Sequence, residues 1–572
     1  MYNIKVSGGN EGAKIHIKQT EKDGFLFADV TVTLPEEASP EKIKFEWQVP
    51  TTEFYSVWGP LLKDNRSISP CWSKRRSDSR LAVGMPLLQI ISKKDINRIC
   101  FASSDPATPM SVAAGIHEED ALTDFEIELF TNLTAPLKEY KATWRFDMRP
   151  IPYYDAIYDV VNWWENDLGF KPAYVPDAAK MPMDSLWYSF HQVLDVESIV
   201  EECRLAKPLG MDTVIIDDGW QTEDNSRGYA YCGDWQVAHS KMGDMKELVD
   251  RLHEIDIKVM LWYSVPFVGI YSKKYEEFKG FLRNAWGDRT AFALDPRYKV
   301  CRDYLVNTYT TAVKEWGLDG LKLDFIDSFK MDEEGLKPDD RRDYISLEEA
   351  IDALMTEVKD KLTAINPEIL IEFRQSYVGP AIRKYGNMLR VTDCPSDSLF
   401  NRRGVIDLRF TSGKTAVHSD MVMWNAAEGV EAAAMQIASV IYGVPQISVK
   451  LCEMPDEHIQ MVRHYLDFWR KNRDVLLDGK LTATEPWANY SLACATLGER
   501  EIISAYADRF IECKVKESVI VNCTSADSLI IKGCKGRDYT VVDCIGNKVS
   551  EGKIDSDLFE IEMPLCSIFT AK

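Results

Sequence analysis

The chain has 572 residues, 45% hydrophobic and 28% charged, with a formal net charge of −22 and a sequence pI near 5.0. A length of this order divides into roughly three to four domains and buries enough apolar surface to fold without covalent or metal staples. The acidic balance excludes nucleic acid and anionic membrane surfaces as partners, because both would repel it, and leaves a neutral ligand such as a sugar.

The opening residues, MYNIKVSGGN, lack the basic start and apolar run of a secretory leader. No stretch approaches the ~20 apolar residues of a membrane span. The 13 cysteines are odd in number, scattered and without a C-x-x-C pair. Neither a disulfide framework nor a zinc site has its spacing here, so no metal and no cofactor are expected. Reduced thiols in a cytoplasmic protein are the simplest reading.

Along the first 150 residues, KIHIKQ, LFADVTVTL, KIKFEWQV, RLAVGMPLLQII and FEIELF alternate or run apolar between Gly, Pro, Asp and Asn turns, which predicts a β-sandwich. IYDVVNWWENDLG follows with helical spacing. From about residue 181 short apolar strands alternate with amphipathic stretches. The strand candidates are SLWYSFHQ, TVIIDDGW, KVMLWYSV, GLKLDFID, ILIEFRQS, MLRVTDC, TAVHSDM and QISVKL. Helical patterns such as VESIVEECRLA, MKELVDRLHEI and LEEAIDALMTEVKDKLTAI lie between them. Eight strand–helix units over about 300 residues match a (β/α)₈ TIM barrel, and no strand is followed by a phosphate-cradling glycine motif. Short alternating strands return after about 482. The expected layout is a multidomain chain: an N-terminal β-sandwich over 1–165, the barrel over 166–481 and a C-terminal antiparallel β-sandwich over 482–572.

In such a barrel the polar residues at the C-terminal strand ends form the active site. Here these are Asp217, Asp218 and Trp220 after the second strand, Trp262 on the third, and Lys322 and Asp324 on the fourth. The fifth carries Glu372 and Arg374, the sixth Arg390 and Asp393, and the seventh His418 and Asp420. Singly, each Asp reads equally well as a turn or helix cap; five of the eight strands ending in ionisable groups do not. Carboxylates abound and histidines number only 8, with no Ser-His-Asp order and no H-E-x-x-H, so serine and zinc hydrolysis are disfavoured. Paired carboxylates beside aromatic side chains are what glycoside hydrolysis requires. Core packing is the better account of at least half of the aromatics.

The ordered motifs SLWYSFHQ…TVIIDDGWQ, GLKLDFID and LRVTDCPSD resemble glycoside hydrolase family 36 and its α-galactosidase clan. The resemblance implies a retaining exo-α-galactosidase acting on a small carbohydrate by double displacement. Asp324 would be the nucleophile and Asp393 the acid/base, with Asp397 in reserve for that role. Asp217 and Asp218 would grip the galactose O4 and O6. Lys322, on the same strand face as Asp324, would hydrogen-bond ring hydroxyls, with Arg374, Arg390, Trp220 and Trp262 around the substrate. The match is not uniform. The acidic residues fall at +3 and +7 from Arg390, with Cys394 at +4. The third strand continues Tyr263-Ser264-Val265-Pro266, and the fifth reads Glu372-Phe373-Arg374-Gln375-Ser376. An α-N-acetylgalactosaminidase, a raffinose-synthase-like α-galactosyltransferase and a non-catalytic carbohydrate-binding relative therefore stay open. Relatives of this kind often form homo-oligomers through the N-terminal domain, which would carry Trp58 toward a neighbour's site.

Overall fold

The computed structural model describes residues 1–62, 66–374 and 376–572, so Gln375 of the fifth-strand motif lies outside the described residues. The N-terminal strands form two six-stranded sheets. Strict alternation places one face of each strand inward, as in Ile43–Pro50, where Ile43, Phe45, Trp47 and Val49 are buried. Aromatic side chains from the two sheets meet in the layer between them: Phe45 meets Trp144 edge-on at 4.9 Å. The helix Tyr153–Asn162 then buries Tyr153, Ile157 and Val160.

Eight parallel strands follow, at Met183–Ser185, Thr213–Ile216, Lys258–Ser264, Gly320–Asp324, Leu370–Arg374, Met388–Arg390, Ala416–His418 and Gln446–Ile447. The first strand pairs with both the second and the eighth. The seventh reaches the eighth through the bridges His418↔Val444 and Val422↔Ile447, which closes the barrel. Its floor is apolar: Met183, Ile215, Met260, Leu370, Met388 and Ala416 cluster there. Gly320 belongs to this level because any Cβ would fall 2.6 Å from the Leu370 Cβ. One period-2 step up each strand, the inward positions become Asp217, Lys322, Glu372, Arg390 and His418. The barrel is therefore a greased floor beneath an ionic layer.

One strand ends earlier than expected. SLWYSFHQ is not extended: the first strand stops at Ser185 and Leu186–Phe190 is a short helix. The Ser448 hydroxyl explains this, since it accepts the Tyr188 and Ser189 backbone N–H groups at 3.0 and 3.2 Å and donates to the Ser185 carbonyl. It satisfies the orphan donors of a helix start. A three-stranded sheet, Phe267–Gly269, Leu282–Trp286 and Ala291–Leu294, is inserted after the third barrel strand. Beyond the barrel, a seven-stranded and a three-stranded sheet complete the chain. They are antiparallel except where Arg500–Ala505 runs parallel to Glu517–Asn522 and Phe510–Glu512 parallel to Ser528–Lys532.

Trp58 does not reach outward. It is fully buried, and its indole N–H donates to Asp407 at 3.2 Å and to the Tyr490 hydroxyl at 3.1 Å. Arg66 pairs with the same Asp407 and donates to Tyr490 at 3.0 Å. The N-terminal sheets, a barrel helix and the C-terminal sheets thus share one buried polar junction. All 13 cysteines are free. No described helix is long and apolar enough to cross a membrane.

Candidate active site

The second barrel strand delivers Asp217 and Asp218 to the mouth, both at most 3% exposed. Lys322 Nζ lies 2.5 Å from Asp217 Oδ2, and the Asp218 backbone N–H donates to the other oxygen at 2.9 Å. Asp218 is held by neutral donors instead, Gln192 at 2.8 Å and Gln221 at 2.6 Å. Burial, aided by the charge of Asp217, outweighs these donors and pushes the Asp218 carboxyl up to about 6. Gly219 makes the arrangement possible. It has φ +124, and a Cβ there would stand 2.7 Å from the Gln192 Cα, so only glycine lets the two loops approach.

Asp324 ends the fourth strand and is 7% exposed. Its Oδ1 accepts from Arg374 Nε, from the Phe325 backbone N–H at 2.8 Å and from the Tyr377 hydroxyl at 3.1 Å. Its Oδ2 accepts from the Trp262 indole N–H at 3.1 Å. Burial acts to raise this carboxyl, but the Arg374 and Lys322 charges more than offset it and hold it down at about 2. Phe325 adopts a left-handed φ of 64, strained for an aromatic residue. That turn aims its N–H back at Asp324 and places its ring under the Arg374 guanidinium, 4.8 Å away.

Arg390 is buried and branches among carboxylates. It pairs with Asp420, donates to Asp393 at 2.9 Å and stands 3.7 Å from Glu372. Burial tends to raise Asp393, yet Arg390 and then Lys322 hold it below the usual carboxylate range. Its side chain is half-exposed at the rim. Asp420 also accepts the Cys394 N–H at 2.6 Å and the Tyr188 hydroxyl at 3.0 Å. Glu372 and Asp420 are fully buried, and burial raises both. His418 bonds the Ala179 carbonyl at 2.8 Å, and burial lowers it to about 4. It is a neutral interior histidine. Among the described residues no group of three or more His, Cys, Asp or Glu side chains is placed to hold a metal ion.

Asp217, Asp218, Lys322, Asp324, Arg374, Arg390, Asp393 and Trp262 thus converge. Two predicted residues stand apart. Trp220 is wholly buried: its N–H donates to the Trp262 carbonyl at 2.8 Å, and its ring packs on Trp235, Tyr263 and Trp316. It braces Trp262 from behind and offers no face to a ligand. Asp397 caps the helix Ser398–Thr411 by accepting the Phe400 N–H at 2.9 Å.

Sequence reasoning missed Gln192, Gln221 and Tyr377, together with an aromatic wall beside Asp324. In that wall Tyr229 stacks near Trp262 at 6.1 Å and meets Phe325 at 4.9 Å, while Phe267 and the exposed Trp286 lie 4.9 and 5.5 Å from Phe325. These residues come from loops and the inserted sheet, where no strand-end rule applies. A separate cavity of about 1030 Å³, between residues 104–107 and the helix Leu347–Ile365, shares none of the converging groups.

A family model described as Melibiase matches residues 184–479. The bifunctional α-galactosidase/sucrose kinase AgaSK of Mediterraneibacter gnavus is 29% identical over 137 residues, which are 22% of this chain and 14% of that protein. Across the first three curated relatives the match spans 14% to 20% of their length. The structure of the galactosidase domain of AgaSK superposes with a TM-score of 0.65 at 13% identity, covering 98% of this chain and 80% of that one. The α-galactosidase AgaA of Geobacillus stearothermophilus, solved with raffinose, gives a TM-score of 0.64 at 14% identity, with 98% and 81% covered.

Proposed function

This chain belongs to the melibiase family, and we propose that it is a retaining exo-α-galactosidase releasing terminal α-linked galactose from an oligosaccharide or glycoconjugate. One observation carries this reading: the buried acceptors Asp217 and Asp218, held by Lys322 and two glutamines, share a barrel mouth with the ionised Asp324. Buried acceptors reject a sugar that leaves them unpaired. The raffinose and stachyose complexes of the AgaA neighbour support an oligosaccharide as substrate. The free thiols support a reducing, cytoplasmic setting.

In the first step Asp324 attacks the anomeric carbon while Asp393 protonates the leaving oxygen. In the second, Asp393 removes a proton from the water that releases galactose. Arg390 keeps Asp393 ionised in the free protein, which suits the base step. For the acid step Asp393 takes up a proton as the sugar displaces water and the negative charge of Asp324 works against Arg390. Trp262, through its bond to Asp324, orients the nucleophile.

The test is release of phenol from aryl α-galactoside, aryl α-N-acetylgalactosaminide and aryl α-glucoside, beside the Asp324→Ala variant. Release from the galactoside alone, abolished in the variant, is the expected result. Preference for the N-acetyl sugar would overturn the sugar assignment, and transfer to added sucrose in place of hydrolysis would overturn the acceptor.

A further inference from the structure

The two oxygens of Asp324 are not equivalent. Oδ1 is approached by three donors: Arg374 Nε, the Phe325 N–H and the Tyr377 hydroxyl. Oδ2 has one among the described residues, the Trp262 indole. The Tyr377 hydroxyl lies 3.1 Å from both Oδ1 and the Leu323 carbonyl; it has a single proton, and a charged carboxylate is the stronger acceptor. Tyr377 is fully buried, so this donor is never exchanged for water. Arg374 is fixed by the Phe325 ring beneath it. Its Nε donates to the nucleophile's Oδ1.

From this geometry we infer that Oδ2 is the attacking atom, and that Arg374 and Tyr377 are positioning residues whose bonds to Oδ1 make Asp324 a good leaving group in the second step. The inference rests on the functional reading above. In the first step an Oδ2 lone pair forms the bond to the anomeric carbon as the bond to the leaving oxygen breaks. That oxygen keeps the electron pair and takes the proton of Asp393. Oδ1 is then the carbonyl oxygen of a neutral ester, still facing its three donors. In the second step a water oxygen bonds the anomeric carbon, Asp393 takes its proton, and the pair of the carbon–Oδ2 bond returns to Asp324. The returning charge spreads onto Oδ1, where the donors already stand, so no reorganisation is needed. The same donors stabilise the carboxylate before attack and so slow the first step. The division of effort makes formation of the intermediate, not its breakdown, rate-limiting. The low proton affinity of Asp324 is consistent with a good leaving group.

The test compares the full-length wild type, Tyr377→Phe and Arg374→Lys on aryl α-galactosides whose phenols differ in acidity. In the wild type kcat should follow phenol acidity, without a burst. In both variants the second step should slow by roughly 10- to 100-fold. Then kcat becomes insensitive to the phenol, KM falls with it, a stoichiometric burst of phenol precedes the steady state, and a hexosyl adduct appears on the Asp324 peptide by mass spectrometry. A uniform fall in kcat across all phenols with unchanged KM and no burst, as a merely structural role would produce, overturns this inference and leaves the functional reading standing. So does a burst already present in the wild type. A wild type that releases no phenol, or an Asp324→Ala variant that remains active, overturns both. Arg374→Lys keeps the charge and gives the same readout independently if Tyr377→Phe does not fold.

Discussion

Lys322 and Asp217 are joined across the barrel from the fourth strand to the second, Nζ to Oδ2 at 2.5 Å, with neither side chain more than 5% exposed. Two charges at this depth are sustained by each other, and removing one leaves the other desolvated and unpaired. Lys322→Met should cost about 3–5 kcal/mol of stability and lower kcat/KM at least 100-fold or so. The double variant Lys322→Met/Asp217→Leu should recover stability but no activity. Urea unfolding and steady-state kinetics on the three proteins check this; additive stability losses would mean that the pair is uncoupled.

Asp218 makes a pH-dependent contribution of known sign. Its folded-state value of about 6 lies above the unfolded value of about 3.9, so between roughly pH 4 and 6 the folded protein binds more protons than the unfolded chain. Its contribution is fully present below pH 4 and is lost as pH rises through 6, by about 2–3 kcal/mol at most. Asp218→Asn should therefore gain stability relative to wild type between pH 4.5 and pH 7.5 (chosen to bracket roughly this window) while losing activity. Thermal melts at the two pH values measure the difference. A pH-independent offset would show that the carboxyl titrates normally.

The two candidate acids separate cleanly by mutation. Asp393→Asn should lower kcat about 100- to 10,000-fold on substrates with poor leaving groups, much less on activated aryl galactosides, and added azide should restore turnover. Asp397→Asn preserves the helix cap and should leave kinetics unchanged, whereas Asp397→Ala should cost about 1 kcal/mol of stability. Kinetic damage confined to the Asp397 variants would transfer the acid/base role.

The junction of Trp58, Arg66, Asp407 and Tyr490 ties the three sheet systems into one cooperative unit. Arg66→Met strands a buried Asp407 and should cost about 3–5 kcal/mol, and Tyr490→Phe about 1–2 kcal/mol. Activity at low temperature should stay near wild type, since none of the four lines the mouth. Separate melting of barrel and flanking sheets in the Arg66 variant, seen by calorimetry, is the expected sign; a single unshifted transition would deny the coupling.

Periodicity was enough to read the layered architecture. Alternation in Ile43–Pro50 and helical spacing in Leu347–Ile365 each leave one way to bury the apolar face, so local pattern and tertiary structure agree. The eight barrel strands were legible for the same reason, except where the Ser448 hydroxyl, 263 residues away from its partner Ser185, turned SLWYSFHQ into a short helix. Two-residue periodicity, which sends alternate side chains inward whatever surrounds them, accounts for Asp217, Lys322, Asp324, Arg374 and Arg390, while Asp218 and Asp393 were legible as acidic residues on the turns that follow their strands.

What periodicity carries no information about is partnership. Trp220 and Trp262 look alike in sequence, yet one braces the core and the other bonds Asp324. Asp393 and Asp397 stand four residues apart, yet one meets Arg390 and the other caps a helix. Tyr377 and Gln192 acquire their roles only because folding brings them to Asp324 and Asp218. The balance of burial against neighbouring charge, which sets Asp218 and Asp324 on opposite sides of the ordinary carboxylate range, depends on every neighbour at once. The sequence by itself determined which strand positions point inward, since that is a property of the strand; only the tertiary structure decided which loop side chains join them at the mouth and which atom each one touches, since hydrogen bonds and desolvation act through space and not along the chain.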